Sequence, residues 1–243
     1  MEFKIGDVAN RTIGAVSRNF AVFSLLSLVL VGVPTFVITV SQMGVASGDP
    51  SAFGIAAVIA LIVNFATAYI LQGAIIHGAV VDFNGARASF GDCLSTGLKN
   101  ALPLVAIAIL MGLGLMLGLL LLVVPGVILL VMWIVAVPVQ VVENSGITES
   151  FGRSQELTKG NRWKIFGLVV VYFILAVVLS MIVMLPAGLV GATGEGTLIV
   201  ALFQVVSTVL SAVVSATGVS AVYYELRKAK EGVGAEALAQ VFE

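Results

Sequence analysis

Long uninterrupted runs of apolar residues, separated by short segments that carry nearly all the charge, organise this chain from end to end. Runs free of Asp, Glu, Lys and Arg lie near 20–42, 55–76, 102–124, 127–142, 165–185 and 197–222. Most reach the roughly 18 to 20 residues that a helix needs to cross the hydrocarbon core of a bilayer. The third and fourth runs are parted only by Pro125-Gly126, a signal that stops one helix and lets the chain reverse. The pattern predicts an all-α, polytopic membrane protein with six transmembrane helices.

Composition agrees. Of 243 residues, 60% are hydrophobic and 10% charged, against roughly 25% charged in an ordinary soluble domain. A water-soluble fold of this size has nowhere to hide so much apolar surface, which excludes most globular enzymes. The 12 Lys and Arg nearly balance the 13 Asp and Glu, so net charge gives no argument for nucleic acid. Their distribution is more informative. Lys4, Arg11 and Arg18 precede the first span, Arg87 and Lys99 lie in the second connection, Arg153, Lys159, Arg162 and Lys164 in the fourth, and Arg227, Lys228 and Lys230 follow the last. The first, third and fifth connections hold only Asp49 and Glu195 as charges. By the positive-inside rule both termini and the two longer loops are cytoplasmic, in a bacterial inner membrane. The segment before the first span includes Glu2 and Asp7 and is patterned like a helix, unlike the short basic start of a signal peptide, so that span is read as retained.

A repeat reorganises the remainder. Ser89-Phe90-Gly91 recurs as Ser150-Phe151-Gly152, Asn100 as Asn161 and Pro125 as Pro186, each displaced by 61 residues. The N-terminus resembles a looser copy, with Arg18-Asn19 echoing Lys99-Asn100. The expected layout is therefore a single transmembrane domain over 1–243. It comprises an amphipathic cytoplasmic segment (1–19), three tandem helical hairpins (20–76, 102–142, 165–222), cytoplasmic loops (77–101, 143–164) and a cytoplasmic tail (223–243). Ile5, Val8, Ile13, Val16 and Phe20 fall on one side of a helix, as do Phe90, Cys93, Leu94 and Leu98; Ile147 and Phe151 begin a third such face. These read as short helices at the inner interface, with Lys4, Arg11 and Arg18 facing anionic headgroups, or alternatively as cytoplasmic helices packed on each other.

Candidate chemistry is sparse. The lone Cys93 and lone His77 leave no cluster for a metal, and no catalytic residue or cofactor is assigned. His77, Glu143 and Glu225 sit at cytoplasmic ends of spans, where an ionisable side chain reaches water. Two spans carry polar stripes: Asn64, Thr67 and Gln72 on the second, and Gln204, Ser207, Thr208, Ser211 and Ser215 on the sixth. Such groups either knit helices together or line a cavity for a lipid headgroup or small amphiphile. Gly114 and Gly118 form a close-packing GxxxG, and Pro34 and Pro138 should kink their spans. The densest polar motif surrounds Glu143, Ser150, Arg153, Arg162 and Trp163, where Glu143 and Arg153 are placed to pair and Trp163 to anchor at the interface.

At this motif a resemblance emerges. Pro125-Gly126, Trp133, Pro138, Glu143, Ser150, Arg153-Ser154, Leu157-Thr158, Gly160 with Trp163, and Tyr223-Tyr224-Glu225-Leu226-Arg227 resemble the membrane domain associated with glycerophosphoryl diester phosphodiesterases and the related YciC-like bacterial inner-membrane proteins. The resemblance is strongest from 120 to 227. It implies a six-helix inner-membrane protein. The soluble barrel that carries the hydrolase in fused relatives is absent here, so that activity is not implied. The expected function is non-enzymatic binding or transport of a membrane lipid or small amphiphile. The alternative is a scaffold that engages protein partners, or a second copy, through its cytoplasmic loops.

Overall fold

The computed structural model describes residues 3–44, 50–191 and 197–232, and within these it is helical with no strand. The connections around Asp49 and Glu195, and the tail beyond Gly232, lie outside the described residues. In chain order the helices are α1 (Ile5–Arg18), α2 (Phe20–Ser27), a π-helical turn (Leu28–Gly32), α3 (Val33–Gly44), α4 (Pro50–Phe83), α5 (Phe90–Lys99), α6 (Ala101–Leu121), α7 (Val123–Trp133), α8 (Ala136–Glu143), α9 (Ile147–Thr158), α10 (Arg162–Gly191) and α11 (Thr197–Glu231). Six stretches are long and apolar enough to cross a membrane: Phe20–Thr39, Val58–Phe83, Ala101–Leu121, Val123–Glu143, Arg162–Leu185 and Leu198–Glu231. Six helical stretches of spanning length are therefore present, as expected from the sequence, and those of the second and sixth runs, α4 and α11, extend past the apolar runs to Phe83 and Glu231.

Prolines explain where these helices bend. Pro34 has no N–H to offer the Leu30 carbonyl. The strain is taken up just before it by the π-helical turn, where the Val33 N–H bonds the Leu28 carbonyl instead. In the fourth span Pro138 likewise leaves the Ile134 carbonyl free, and the helix breaks at Ile134-Val135 between α7 and α8. Pro125-Gly126 corrects the expectation. The chain reverses earlier, at the extended residue Leu122 (φ −170°, ψ 154°), and Pro125 sits in the first turn of α7, where an N–H has no intrahelical partner to lose. Gly126 serves contact instead: a Cβ on Gly118 would stand 2.9 Å from the Gly126 Cα, so α6 and α7 meet backbone to backbone. Gly114 of the same GxxxG makes room for the Trp133 ring. Pro186, the proposed counterpart of Pro125, lies within α10 rather than at a helix start, so the two prolines occupy different places.

The core concentrates at the end where α1, α5 and α9 gather around the C-terminal parts of α4, α8 and α11, and includes Ile75, Val80, Cys93, Leu104, Val139, Leu157, Tyr223 and Leu226. There α5 crosses α4 at Gly97, whose missing side chain admits the Ile70 carbonyl and the Ala74 backbone. Helix α9 folds back along α8: Ser150 reaches Gln140 Oε1 at 3.1 Å, Ser154 donates to the Met132 carbonyl at 2.7 Å, and Phe151 meets the Trp133 ring edge-on at 5.0 Å. This return carries the chain to the start of α10 beside α7. The amphipathic α1 divides its apolar residues, with Val8 and Ala15 buried while Ile5 and Ile13 stay exposed, as does Phe20 at the start of α2.

Candidate functional site

Two features carry chemistry: a set of arginine–carboxylate clamps at this end and an apolar groove along α7. The clamps start from three acids placed in or near the last turns of helices that end here. Asp82 on α4 accepts Arg18 Nε at 3.0 Å, a terminal guanidinium nitrogen of Arg18 at 2.6 Å, and Asn19 Nδ2 at 2.8 Å. Glu143, closing α8, accepts Arg153 Nε at 3.1 Å and the Tyr223 hydroxyl at 2.8 Å. Glu225 on α11, 3% exposed, is paired with Arg11, whose guanidinium lies 4.3 Å from the centre of the Tyr224 ring. Arg153 also holds Glu231, which accepts Arg227 Nε at 2.9 Å. The short helices α1 and α9, both in contact with α11, thus supply Arg11, Arg18 and Arg153, and α11 itself supplies Arg227.

These placements settle several expectations about charge. Arg11 and Arg18 were expected to face headgroups; both are instead committed to carboxylates, Arg11 largely buried and Arg18 exposed but reaching over buried Asp82, because a carboxylate in apolar surroundings is tolerable only with a cationic partner. The bidentate contact with Asp82 raises the pKa of Arg18 above its ordinary value. Burial works against the charge on Arg153, but Glu231 and Glu143 outweigh it and hold its pKa above the ordinary value. Glu143 and Arg153 meet as the sequence suggested, and Ser150 is buried between Gln140 and the Gly146 carbonyl, 2.6 Å away. Trp163 is 85% exposed, beside half-buried Arg162, while Lys164 Nζ donates to the Phe3 carbonyl at 3.2 Å.

The polar stripes behave differently. Ser207 is buried, and Asn64, Thr67, Gln72, Gln204, Thr208, Ser211 and Ser215 are half-buried on helices that touch each other. The hydroxyls of Thr67 and Thr208 turn back on carbonyls of their own helices, Val63 at 2.9 Å and Gln204 at 2.8 Å.

A cavity of about 590 Å³ opens instead between α7 and the start of α10. Val123, Val124, Val127, Ile128 and Val131 form one wall, two adjacent rows at helical spacing; Trp163 and Phe166 form the other, and Arg162 is its one charged lining residue. Arg162 Nε is buried and has no hydrogen-bond partner among the described residues.

Sequence reasoning missed Asp82, Asn19, Tyr223 and Glu231 as partners. A signal for the first existed: the same 61-residue displacement carries Val80-Val81-Asp82 onto Val141-Val142-Glu143. Asn19 and Asn100 share a local geometry, each buried between a short helix and the next one, with Nδ2 donating to the carbonyl four residues earlier at 3.1 and 3.0 Å.

Residues 112–226 match a domain of unknown function (DUF7847), over nearly the stretch where the sequence resemblance is strongest. The match names no activity and does not identify the phosphodiesterase-associated membrane domain. No curated protein and no solved structure matches the chain.

Proposed function

We propose that this is a multi-pass protein of the bacterial inner membrane that binds a lipid or small amphiphile between its helices without transforming it. The apolar groove between α7 and α10 carries the reading. Walls of Val, Ile and Phe on helices that border hydrocarbon suit an acyl chain, and a single cation in the lining suits the polar group attached to it. The non-enzymatic part is supported by the clamps. Asp82, Glu143 and Glu225 each hold an arginine, an arrangement that fixes helices and leaves these acids committed rather than poised.

In this reading the spans form three tandem hairpins, with α1, α5 and α9 as short helices at the inner interface and the basic end facing the cytoplasm. The matching geometry of Asn19 and Asn100 and the extended 61-residue register support the repeat. Exposed Ile13, Phe20, Leu98, Leu102 and Trp163 around the charged end support the interfacial placement. Kinship with the phosphodiesterase-associated, YciC-like membrane domain belongs to the same proposal. The scaffold alternative draws on 143–164, where Arg153 is already taken up by Glu143 and Glu231.

Native mass spectrometry of gently solubilised protein tests the reading. A retained adduct of phospholipid mass, lost when Val127→Phe fills the groove, is the expected result. No retained lipid, with partner proteins that co-purify and are lost on disrupting 143–164, would replace it with the scaffold.

A further inference from the structure

We infer that the α7/α10 groove is a site for an anionic phospholipid, with an acyl chain along the Val123–Val131 face and the headgroup phosphate at Arg162. This deepens the lipid-binding reading and rests on it. Three observations carry it. First, the apolar rows from Val123 to Val131 cover eight residue steps of α7, about 12 Å at helical rise, close to the depth of one leaflet's hydrocarbon. Second, Arg162 Nε is buried in this lining with no partner among the described residues. A guanidinium keeps its charge, and with Nε closed off the terminal nitrogens are the donors left for an acceptor at the groove's edge, where a phosphate oxygen pair fits the fork. Third, the surrounding chain is one-signed. From 157 to 194 the sequence carries Lys159, Arg162 and Lys164 and no Asp or Glu. Arg162 is also the first residue of the 30-residue α10, so the positive end of that helix adds to the same field. A zwitterionic lipid would bring its own cation into this region; a phospholipid of net negative charge would not.

Trp163 lines the groove and reports on it directly. The chain has two tryptophans, so the signal of Trp163 is obtained from the Trp133→Phe protein, or from the wild type minus the Trp163→Phe protein should the first variant fold poorly. The protein is reconstituted in vesicles containing phosphatidylglycerol or phosphatidylcholine with brominated acyl chains, and quenching of Trp163 gives relative lipid affinities. The expected result is a preference for phosphatidylglycerol of roughly fivefold, the size of one basic residue's contribution at a membrane surface. The preference disappears in Arg162→Gln, and the quenching advantage disappears in Val127→Phe. Equal quenching by both lipids that Val127→Phe still reduces overturns the anionic selection and leaves lipid binding standing. Quenching that Val127→Phe does not change in either lipid overturns both, since Trp163 then reports only bulk lipid or a groove filled by another helix.

Discussion

The fourth and fifth spans make an instructive pair. In the fourth, 44% of the most apolar window lies inside the protein; in the fifth, none does. Yet the fifth is the more hydrophobic, with mean hydropathy 3.1 against 2.3. Along α8, Ala136 to Val142 are all buried although they include Pro138 and Gln140, and the helix ends on clamped Glu143. Along α10, Phe173, Ile174 and Leu175 are exposed. In water the more apolar helix would be the inner one. In a bilayer the tails are as apolar as leucine, so hydrophobicity no longer drives helix against helix, and buried positions are marked by small residues, hydrogen bonds and paired charges. The two spans therefore owe their stability to different forces, and substitutions should separate them.

The largest expected effect is at the clamps. Arg11→Ala leaves Glu225, whose side chain is 4% exposed, buried without its cation, a loss of about 3 kcal/mol at neutral pH. Thermal unfolding in detergent, followed by size-exclusion chromatography, reads it as a lower midpoint. Adding Glu225→Gln should restore most of the loss, because the penalty is the stranded charge rather than the missing contact. A single variant as stable as the wild type would show that water or lipid solvates Glu225 and that the clamp is idle.

Next comes Gly97→Ala. The added methyl overlaps the Ile70 carbonyl oxygen, which belongs to backbone and cannot swing away, so α5 must lift off α4. The expected cost is about 2 kcal/mol, again as a lowered midpoint. Gly91 has no heavy atom nearer than 4.0 Å to its added methyl, so Gly91→Ala serves as the control, with stability unchanged or slightly raised by alanine's helix preference. Alanine favours a helix over glycine, so propensity works against any loss; equal losses from both would mean that something other than the crossing is being measured.

These two sites also show what was legible in the sequence. Six apolar runs sufficed for six membrane-length helices, because the length of a span and its lack of charge are properties of the run itself. Pro34 and Pro138 announced their irregularities for the same reason: a missing N–H acts locally. Pro125-Gly126 misled because two local signals, a turn proline and a turn glycine, are equally at home in a helix's first turn and at a close contact, and α6–α7 packing chose the latter. The clamps were half legible. Glu143 and Arg153 lie ten residues apart on adjoining helices, within reach of loop reasoning, whereas Arg18 and Asp82 are 64 apart and Arg11 and Glu225 are 214 apart. Their pairing is a fact of topology. The groove was not legible, since its walls are ordinary apolar residues whose separation depends on how α9 returns along α8.

A smaller effect, confined to alkaline pH, is expected at Cys93. Its side chain is fully buried on α5, and burial, helped by the charge of Asp92, pushes the thiol up from 9.0 to about 11. The native state therefore holds this proton more tightly than the unfolded chain. That contribution is fully present below pH 9 and is lost as pH rises through about 11. Maleimide should leave Cys93 unlabelled in the folded protein at pH 7.5 and label it on unfolding. The unfolding midpoint should fall between pH 9 and 11 in the wild type more than in Cys93→Ala. Rapid labelling of folded protein at neutral pH would show that α5 opens from α4 far more readily than its packing implies.

The smallest effect is the sharpest test of the comparison, because it contrasts two residues of one helix. Phe173 is 66% exposed and Ile165 is fully buried at the start of α10, beneath the charged end. Phe173→Ala exchanges one apolar surface for another against lipid tails, which flow into the space, so no cavity remains and the change should stay within about 0.5 kcal/mol. Ile165→Ala removes packing that fluid chains cannot replace and should cost about 2 kcal/mol. Measuring both in the same bicelles cancels differences in lipid and in helix propensity, leaving only what surrounds each side chain. Equal losses would mean that α10 is covered along its length by protein, as in an assembly of several copies. Then its apolar face is an interface, and the groove beside it opens toward another chain instead of the bilayer.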